Sequence, residues 1–290
     1  MKRLAGDRFL VEPRGRLRLD RYDPAGTAPF GSESEAKGLL KKAQKRLFDL
    51  TEVLYAQDRW SLLLIFQAMD AAGKDSAIKH VMRGLDPKAT QVFTFKAPSD
   101  EELDHDYMWR CLKVLPERGR IGVFNRSHYE EVLVVRVHPE LLQRQHLPQE
   151  RITPGIWRER FEDIRDIERY LCRNGTVIRK FYLNVSKAEQ RRRFLARLDD
   201  PSKNWKFAIG DVDERLRWDD YVKAYEQALA ATSTRNAPWY VIPADHKWYT
   251  RLVIAQIVIE TLESLALQFP PLDRRKQREL AEARRRLRAS

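Results

Sequence analysis

A chain of 290 residues with 43% hydrophobic content can build one large or two small domains around a packed core, which excludes a wholly disordered protein. Lys and Arg outnumber Asp and Glu by 54 to 42, and the formal net charge of +12 points to a polyanionic partner. Only Cys111 and Cys172 occur, the N-terminus lacks the apolar core of a signal peptide, and no apolar run reaches membrane-spanning length; a disulfide framework, a cysteine zinc site and a membrane span are thereby disfavoured, and a soluble cytoplasmic protein is expected.

Residues 1–30, rich in Gly, Pro and Arg, read as an irregular arm that packs on the body or on a neighbouring subunit. Ser32 and Glu35 have the spacing of a capping box, and Leu39, Ala43, Leu47, Leu50 and Leu54 follow at helical spacing. The unbroken run Leu62-Leu63-Leu64-Ile65-Phe66 reads as a strand covered by helices on both faces, hence part of a parallel sheet. Further strands are expected at 91–95, 119–126, 176–185 and 239–243. Helices intervene: one opened by Ser99 and Glu102 and running through Trp109 and Leu112, one from Ile156 to Leu171, one capped by Ser186 and Glu189, and one from about Tyr249 to Leu267. Five strands alternating with helices predict an α/β fold, a three-layer αβα sandwich on a five-stranded parallel sheet whose ligands bind beyond the C-terminal strand ends.

The chemistry is placed in the loop after the first strand. Ala68-Met69-Asp70-Ala71-Ala72-Gly73-Lys74 has the spacing of a phosphate-binding loop, in which backbone N–H groups and a helix N-terminus meet phosphate oxygens and the lysine adds a point charge. It departs from the usual pattern. Ala68 replaces the first glycine, and Asp75, followed by Ser76, replaces the metal-binding hydroxyl; Asp70 then supplies the oxygen that Mg²⁺, or Mn²⁺ in its place, requires. Ala71, Ala72, Gly73, Lys74, Asp75, Ser76, Lys79 and Arg126 form the expected phosphate contacts. The competing reading is an ordinary strand-turn-helix corner.

The third strand ends at Asn125-Arg126, where phosphate-loop enzymes usually place a second metal carboxylate. An amide there adds no charge, so Asp70 carries more of the metal, while Arg126 brings a bidentate cation to the same strand end. Glu130 and Glu131 are candidates for contact with the acceptor or metal. Residues 190–212, with Arg191-Arg192-Arg193 and the Pro201 turn, read as a helical lid that excludes water; Arg193 is its candidate catalytic residue, and Lys203 and Lys206 are candidates for contact with the nucleotide acceptor. Arg83, Arg136 and the Arg191 cluster join Lys79 as groove candidates, Trp205, Trp218, Tyr221 and Tyr225 read as core, and residues 271–290 form a basic tail.

The blocks MDAAGKDS, FNRSHYEEVLVVRV, KFYLNVSKAEQRRRF, LDDPSKNWKF, WDDYVKAYE and APWYVIPADHKWY, in that order, resemble the polyphosphate kinase 2 family, and QAMDAAGKD together with Asn in FNRSHYE resembles its class III branch, whose members phosphorylate both AMP and ADP. The resemblance implies a P-loop kinase catalytic domain over 31–270, similar in fold to thymidylate kinase. It implies transfer of the terminal phosphoryl group of inorganic polyphosphate to ADP and AMP, with ATP among the nucleotides bound. By position it assigns catalytic roles to Asp70, Lys74, Asn125, Arg126 and Arg193, with metal at Asp70 and Asn125. It also implies a homo-oligomer, dimer or tetramer, for which the arm and the last apolar helix are candidate interface elements; no membrane and no specific nucleic acid is implied. The alternatives are an ATP-dependent nucleotide kinase and a non-catalytic polyanion- or nucleic-acid-binding protein with a degenerate loop.

Overall fold

The computed structural model describes residues 4–13 and 15–289, the Lys206 side chain excepted. In chain order it contains α1 (Glu33–Gln57), β1 (Ser61–Ala68), α2 (Lys74–Met82), β2 (Thr90–Thr94), α3 (Asp100–Asp104), α4 (Trp109–Leu112), β3 (Ile121–Asn125), α5 (Val134–Val137), α6 (Ile156–Arg173), β4 (Thr176–Asn184), α7 (Lys187–Leu198), α8 (Gly210–Leu216), α9 (Trp218–Thr232), β5 (Trp239–Pro243), α10 (Lys247–Ser264) and α11 (Arg274–Ala289).

The expected five-stranded parallel sheet is present, in the order β2-β3-β1-β4-β5. All eight residues of β1 are buried, as a central strand with helices on both sides requires. Leu62, Leu64 and Phe66 face one apolar core with α1, α2 and α10, whereas Leu63 and Ile65 face another with α6 and α9. The turn after α2 approaches α1 so closely that a Cβ at Gly84 would sit 2.7 Å from the Gln44 Cα, which only glycine permits. The connection leaving β1 runs to the β2 edge whereas the one leaving β3 crosses to β4 on the opposite side, so the two diverge and open a crevice at the C-terminal ends of β1 and β3.

The arm closes the β5 edge of its own chain: Val11 N–H donates to the Trp239 carbonyl at 2.9 Å, Leu10 bridges Tyr240, and Phe9, Val11 and Leu19 are buried. The α10 helix is likewise core, packed against α1 through Leu252, Val253 and Val258. Of the two expected placements of the arm, packing on the body of its own chain is the one present. Among the described residues no helix is long and apolar enough to cross a membrane.

Three local expectations change. Ser32 is the N-cap of α1 but its hydroxyl lies 2.8 Å from that of Ser34, so no capping box forms with Glu35. The helix opened by Ser99 and Glu102 has its capping box but stops at Asp104; the Asp106 carboxylate accepts from Met108 N–H at 2.8 Å and makes a turn that restarts the helix at Trp109. The basic tail is helical, forming α11 with no buried residue among those described.

Candidate active site

The loop between β1 and α2 bends through two left-handed residues, Ala71 at φ 58° and Gly73 at φ 98°, and Gly73 is the N-cap of α2. The turn aims the first N–H groups of α2 into the crevice, and glycine carries the second left-handed φ without steric cost. Lys74 opens the helix, half-buried. Burial and the neighbouring Arg126 cation push its ammonium below the ordinary lysine value, while Glu130, Asp70 and Asp75 oppose that shift.

The α7 helix holds this loop by its backbone. Gln190 on α7 donates to the Asp70 carbonyl at 2.9 Å. Arg193, only 6% exposed, donates to the carbonyls of Ala71 at 3.1 Å, Ala72 at 2.6 Å, Ala244 at 2.6 Å and Asp245 at 3.1 Å, and pairs with Glu189 at 2.7 Å. In this arrangement Arg193 is a clamp between the phosphate loop, α7 and the end of β5, and its donors are spent on carbonyls.

Asn125 ends β3 and donates to the Asp75 carboxylate at 2.7 Å. Its own side-chain oxygen is buried and, among the described residues, has no partner. Asp70 lies nearby on the loop, 3.5 Å from the Arg126 guanidinium. An orphaned amide oxygen beside Asp70 and Asp75 is a hard-oxygen set that fits Mg²⁺, completed by water and substrate phosphate. Among the described residues no group of three or more His, Cys, Asp or Glu forms a protein-only metal cage. Arg126 adopts φ 64°, and its N–H donates to the Phe66 carbonyl at 3.0 Å, so the chain turns sharply off β3 and sends the guanidinium into the crevice.

The crevice opens into a cleft of about 780 Å³ that is walled by the loop, β2, β3, α7 and α10. Lys74, Lys96, Arg126, Arg192, Arg193, Arg197, Lys203 and Lys247 line it, against Asp70, Asp75 and Asp211. On the side of α8 and α9 a smaller cavity of about 230 Å³ meets it at Asp70 and Arg126, lined by Glu130, Trp218, Tyr221 and Tyr225. Another of about 200 Å³ lies on the other side of Arg126, between Phe95, Leu103, Val134 and Leu141.

Residues 31–270 match the family model described as polyphosphate kinase 2. The chain belongs to the polyphosphate kinase 2 family. It is 51% identical over 91% of its length to the ADP-polyphosphate phosphotransferase of Rhodopseudomonas palustris, 92% of which is covered. It is 45% identical over 91% of its length to the AMP/ADP-polyphosphate phosphotransferase of Meiothermus ruber, 95% of which is covered. The crystal structure of polyphosphate kinase 2 from Arthrobacter aurescens TC1 superposes with a TM-score of 0.88 at 40% identity, covering 98% of both chains.

Most site residues expected of a polyphosphate kinase 2 converge on the cleft: Asp70 through Ser76, Asn125, Arg126, Arg193 and Lys203 all line it. Ser76 also accepts from Arg251 at 2.9 Å, and Lys203 pairs with Asp200. Others fall elsewhere. Lys79 is exposed on α2 and does not line the cleft, and Arg136 lies over the rings of Trp157 and Phe161. Glu131 is 3% exposed, bonded by Gln145 and flanked by Arg160 at 3.6 Å and Arg110 at 4.0 Å; it shares the 200 Å³ cavity with Glu130, and only Glu130 also lines the cavity beside Asp70. The Lys206 side chain is outside the described residues. Trp205 is 77% exposed and so is not core, and Tyr221 with Trp218 forms a cavity wall.

Sequence reasoning missed Lys96, Arg197, Asp211 and Lys247. The signal for Lys96 and Lys247 was available, since each follows the end of a strand of a parallel sheet. Arg197 stands one turn after Arg193 on α7 and pairs with Asp211 at 3.8 Å; burial and Asp70 push the Asp211 carboxyl up, with Arg197 opposing.

Proposed function

We propose that this chain transfers the terminal phosphoryl group of inorganic polyphosphate to ADP, and also to AMP, in a reversible reaction. The observation that carries the reading is the cationic cleft over a phosphate loop in a member of this family: a flexible polyanion binds such a groove by charge and counterion release without any sequence being read. Relatives named for ADP and for AMP/ADP phosphotransfer support the acceptors.

A nucleotide phosphate oxygen, already ionised at neutral pH, attacks the terminal phosphorus in line, and the bond to the bridging oxygen breaks, leaving a chain one phosphate shorter. No strong general base is required. Lys74, Arg126 and the α2 N–H groups meet the equatorial oxygens. Asp70 and Asn125 would hold Mg²⁺ or Mn²⁺, which neutralises charge between donor and acceptor phosphates. Arg192, Arg197, Lys203 and Lys247 carry the chain along the cleft, and Glu130 rather than Glu131 faces the acceptor. Arg193 contributes by holding the loop. The enzyme is read as cytoplasmic, its two cysteines being free, and as a dimer or tetramer on the strength of the family resemblance.

The test is nucleotide analysis after incubation with Mg²⁺, long-chain polyphosphate and either ADP or AMP, alongside tubes with ATP as sole donor. ATP formed from ADP and polyphosphate supports the reading; reaction confined to ATP-donor tubes replaces it with an ATP-dependent kinase, and no reaction in any tube favours a polyanion-binding protein.

A further inference from the structure

Between the sheet and the helices α6 and α9 lies a polar group that the phosphotransfer chemistry does not touch. Lys180 on β4 is fully buried, Glu168 on α6 is 2% exposed, and Tyr129, in the turn that follows β3, is fully buried. The Lys180 ammonium donates to the Glu168 carboxylate at 2.5 Å, to the Tyr129 phenol oxygen at 2.9 Å and to the Thr232 carbonyl at 2.8 Å. The Tyr129 hydroxyl in turn donates to the other Glu168 oxygen at 2.8 Å. Three ammonium protons meet three acceptors, both carboxylate oxygens are used, and the phenol accepts one bond and donates one. The ring of bonds is closed and every polar atom in it is satisfied, which is what allows a lysine and a glutamate to sit in a core. Trp239 stacks edge-on to the Tyr129 ring at 4.7 Å and donates its indole N–H to the Thr232 hydroxyl at 2.9 Å.

A buried ion pair is weak evidence for stability, because apolar residues of the same volume often hold a core as well. Its position is more informative. Tyr129 belongs to the short turn His128–Val132, which begins two residues after Arg126. Arg126 is in the left-handed region, a conformation that costs energy for an arginine and persists only where the surroundings impose it. Within this turn Tyr129 points inward to the buried ring, while Arg126 and Glu130 on either side point outward into the cavities beside the phosphate loop. On the upstream side the segment is held by the bond from Arg126 N–H to Phe66 and by Ser127, whose hydroxyl receives Tyr129 N–H at 3.2 Å and the Gln67 amide at 3.3 Å. On the downstream side the buried ring anchors it.

We propose that Lys180, Glu168 and Tyr129 are positioning residues for the transfer reaction, fixing the turn through Tyr129 so that Arg126 is delivered to the transferring phosphoryl group. The inference rests on the reading that Arg126 meets that group. Neither Tyr129 nor its partners touch substrate; they act through the backbone of residues 126–130.

A double-mutant cycle tests it, using the full chain with ADP and polyphosphate. Tyr129→Phe keeps the ring and its packing but removes the hydroxyl. It should lower kcat by about tenfold, the scale of a small misplacement of a catalytic group, with little change in KM for polyphosphate. Arg126→Ala alone reports on the reading of the site. Adding Tyr129→Phe to Arg126→Ala should then change kcat less than about twofold, because the group being positioned is gone. An equal fold-loss of kcat in both backgrounds overturns the proposal and leaves the buried ring a stability element, as does wild-type kcat in Tyr129→Phe with only a lower Tm. Wild-type turnover in Arg126→Ala overturns the site reading and this proposal together, so the two failures are told apart. Should Tyr129→Phe not fold, Trp239→Phe, which loosens the packing on the Tyr129 ring, carries the same cycle with the same outcomes.

Discussion

Arg193→Ala should first be a stability mutation and only through that a kinetic one. The side chain is 6% exposed and its guanidinium serves the carbonyls of Ala71, Ala72, Ala244 and Asp245 as well as the Glu189 carboxylate. Truncation leaves these acceptors without their donor and opens space beside Gly73, whose Cβ position lies 3.4 Å from the Arg193 Nη1. Removing one partner from a buried charged network costs about 3–5 kcal/mol, and the individual bonds are not additive within it. At roughly 2–4 °C per kcal/mol for a chain of this size, Tm should fall by about 6–20 °C, with a central value near 10 °C. Arg193→Lys, which restores the charge but not the planar fork, should recover less than half of the loss. Thermal unfolding followed by circular dichroism, without ligands, reads this directly. A wild-type Tm in Arg193→Ala combined with lost turnover refutes the clamp and returns Arg193 to direct contact with the transferring group.

Asp70→Asn and Lys74→Ala should each abolish ATP formation from ADP and polyphosphate while leaving the circular dichroism spectrum unchanged; wild-type-like turnover in either removes the site assignment. Burial and Arg126 lower the Lys74 pKa, so raising pH removes its charge before the ordinary lysine value of 10.5 is reached. The alkaline limb of kcat/KM should therefore lie below 10.5, and Lys74→Arg, if active, should move it upward; a limb unchanged in Lys74→Arg assigns it to another group. Ending the chain after Leu272 removes α11, which has no buried residue among those described, so stability should change by no more than about 0.5 kcal/mol. A larger change in urea unfolding means that α11 is packed on the body.

The sheet was legible because Leu62 to Phe66 is apolar on both faces, a pattern that few other architectures produce, and because each crossover helix carried its own periodicity. The capping box at Ser99 was legible for the same local reason, whereas the one at Ser32 failed through competition from the neighbouring Ser34 hydroxyl. Asp70, Lys74 and Arg126 line the cleft as expected of residues that follow the C-terminal ends of the neighbouring parallel strands β1 and β3. What the sequence could not express is direction. Glu130 and Glu131 are adjacent and alike, yet only Glu130 lines the cavity beside Asp70 while Glu131 is buried against Arg110 and Arg160, and only the turn after β3 decides between them. Arg193 is expected to meet the transferring phosphoryl group, but it reaches inward to carbonyls that no linear pattern records. Lys247, four residues past the end of β5, joins the cleft through the packing of α10 beside α2, and its place after a strand end is the one linear sign of it.

The amide at Asn125 has an energetic consequence that can be measured apart from turnover. Its Nδ2 stands 2.7 Å from the Asp75 carboxylate, so the pair is a neutral donor on an anion. Asn125→Asp would replace that donor with a second carboxylate of nearly the same shape, setting two like charges at hydrogen-bond distance. Such a pair either takes up a proton or requires a cation between its members. Without divalent metal the variant should therefore be less stable than the wild type at neutral pH, and the deficit should shrink as pH falls and the carboxyl protonates. With Mg²⁺ the order should change, because the new oxygen adds a charge to the Asp70 set and binding to the folded state alone raises Tm with concentration. The expected result is a steeper Mg²⁺-dependent rise in Tm for Asn125→Asp than for the wild type, measured with no nucleotide and no polyphosphate. Parallel rises in the two proteins would show that residue 125 does not face the metal, and would leave the loop carboxylates Asp70 and Asp75 as the protein groups on which the phosphates of both substrates depend for their cation.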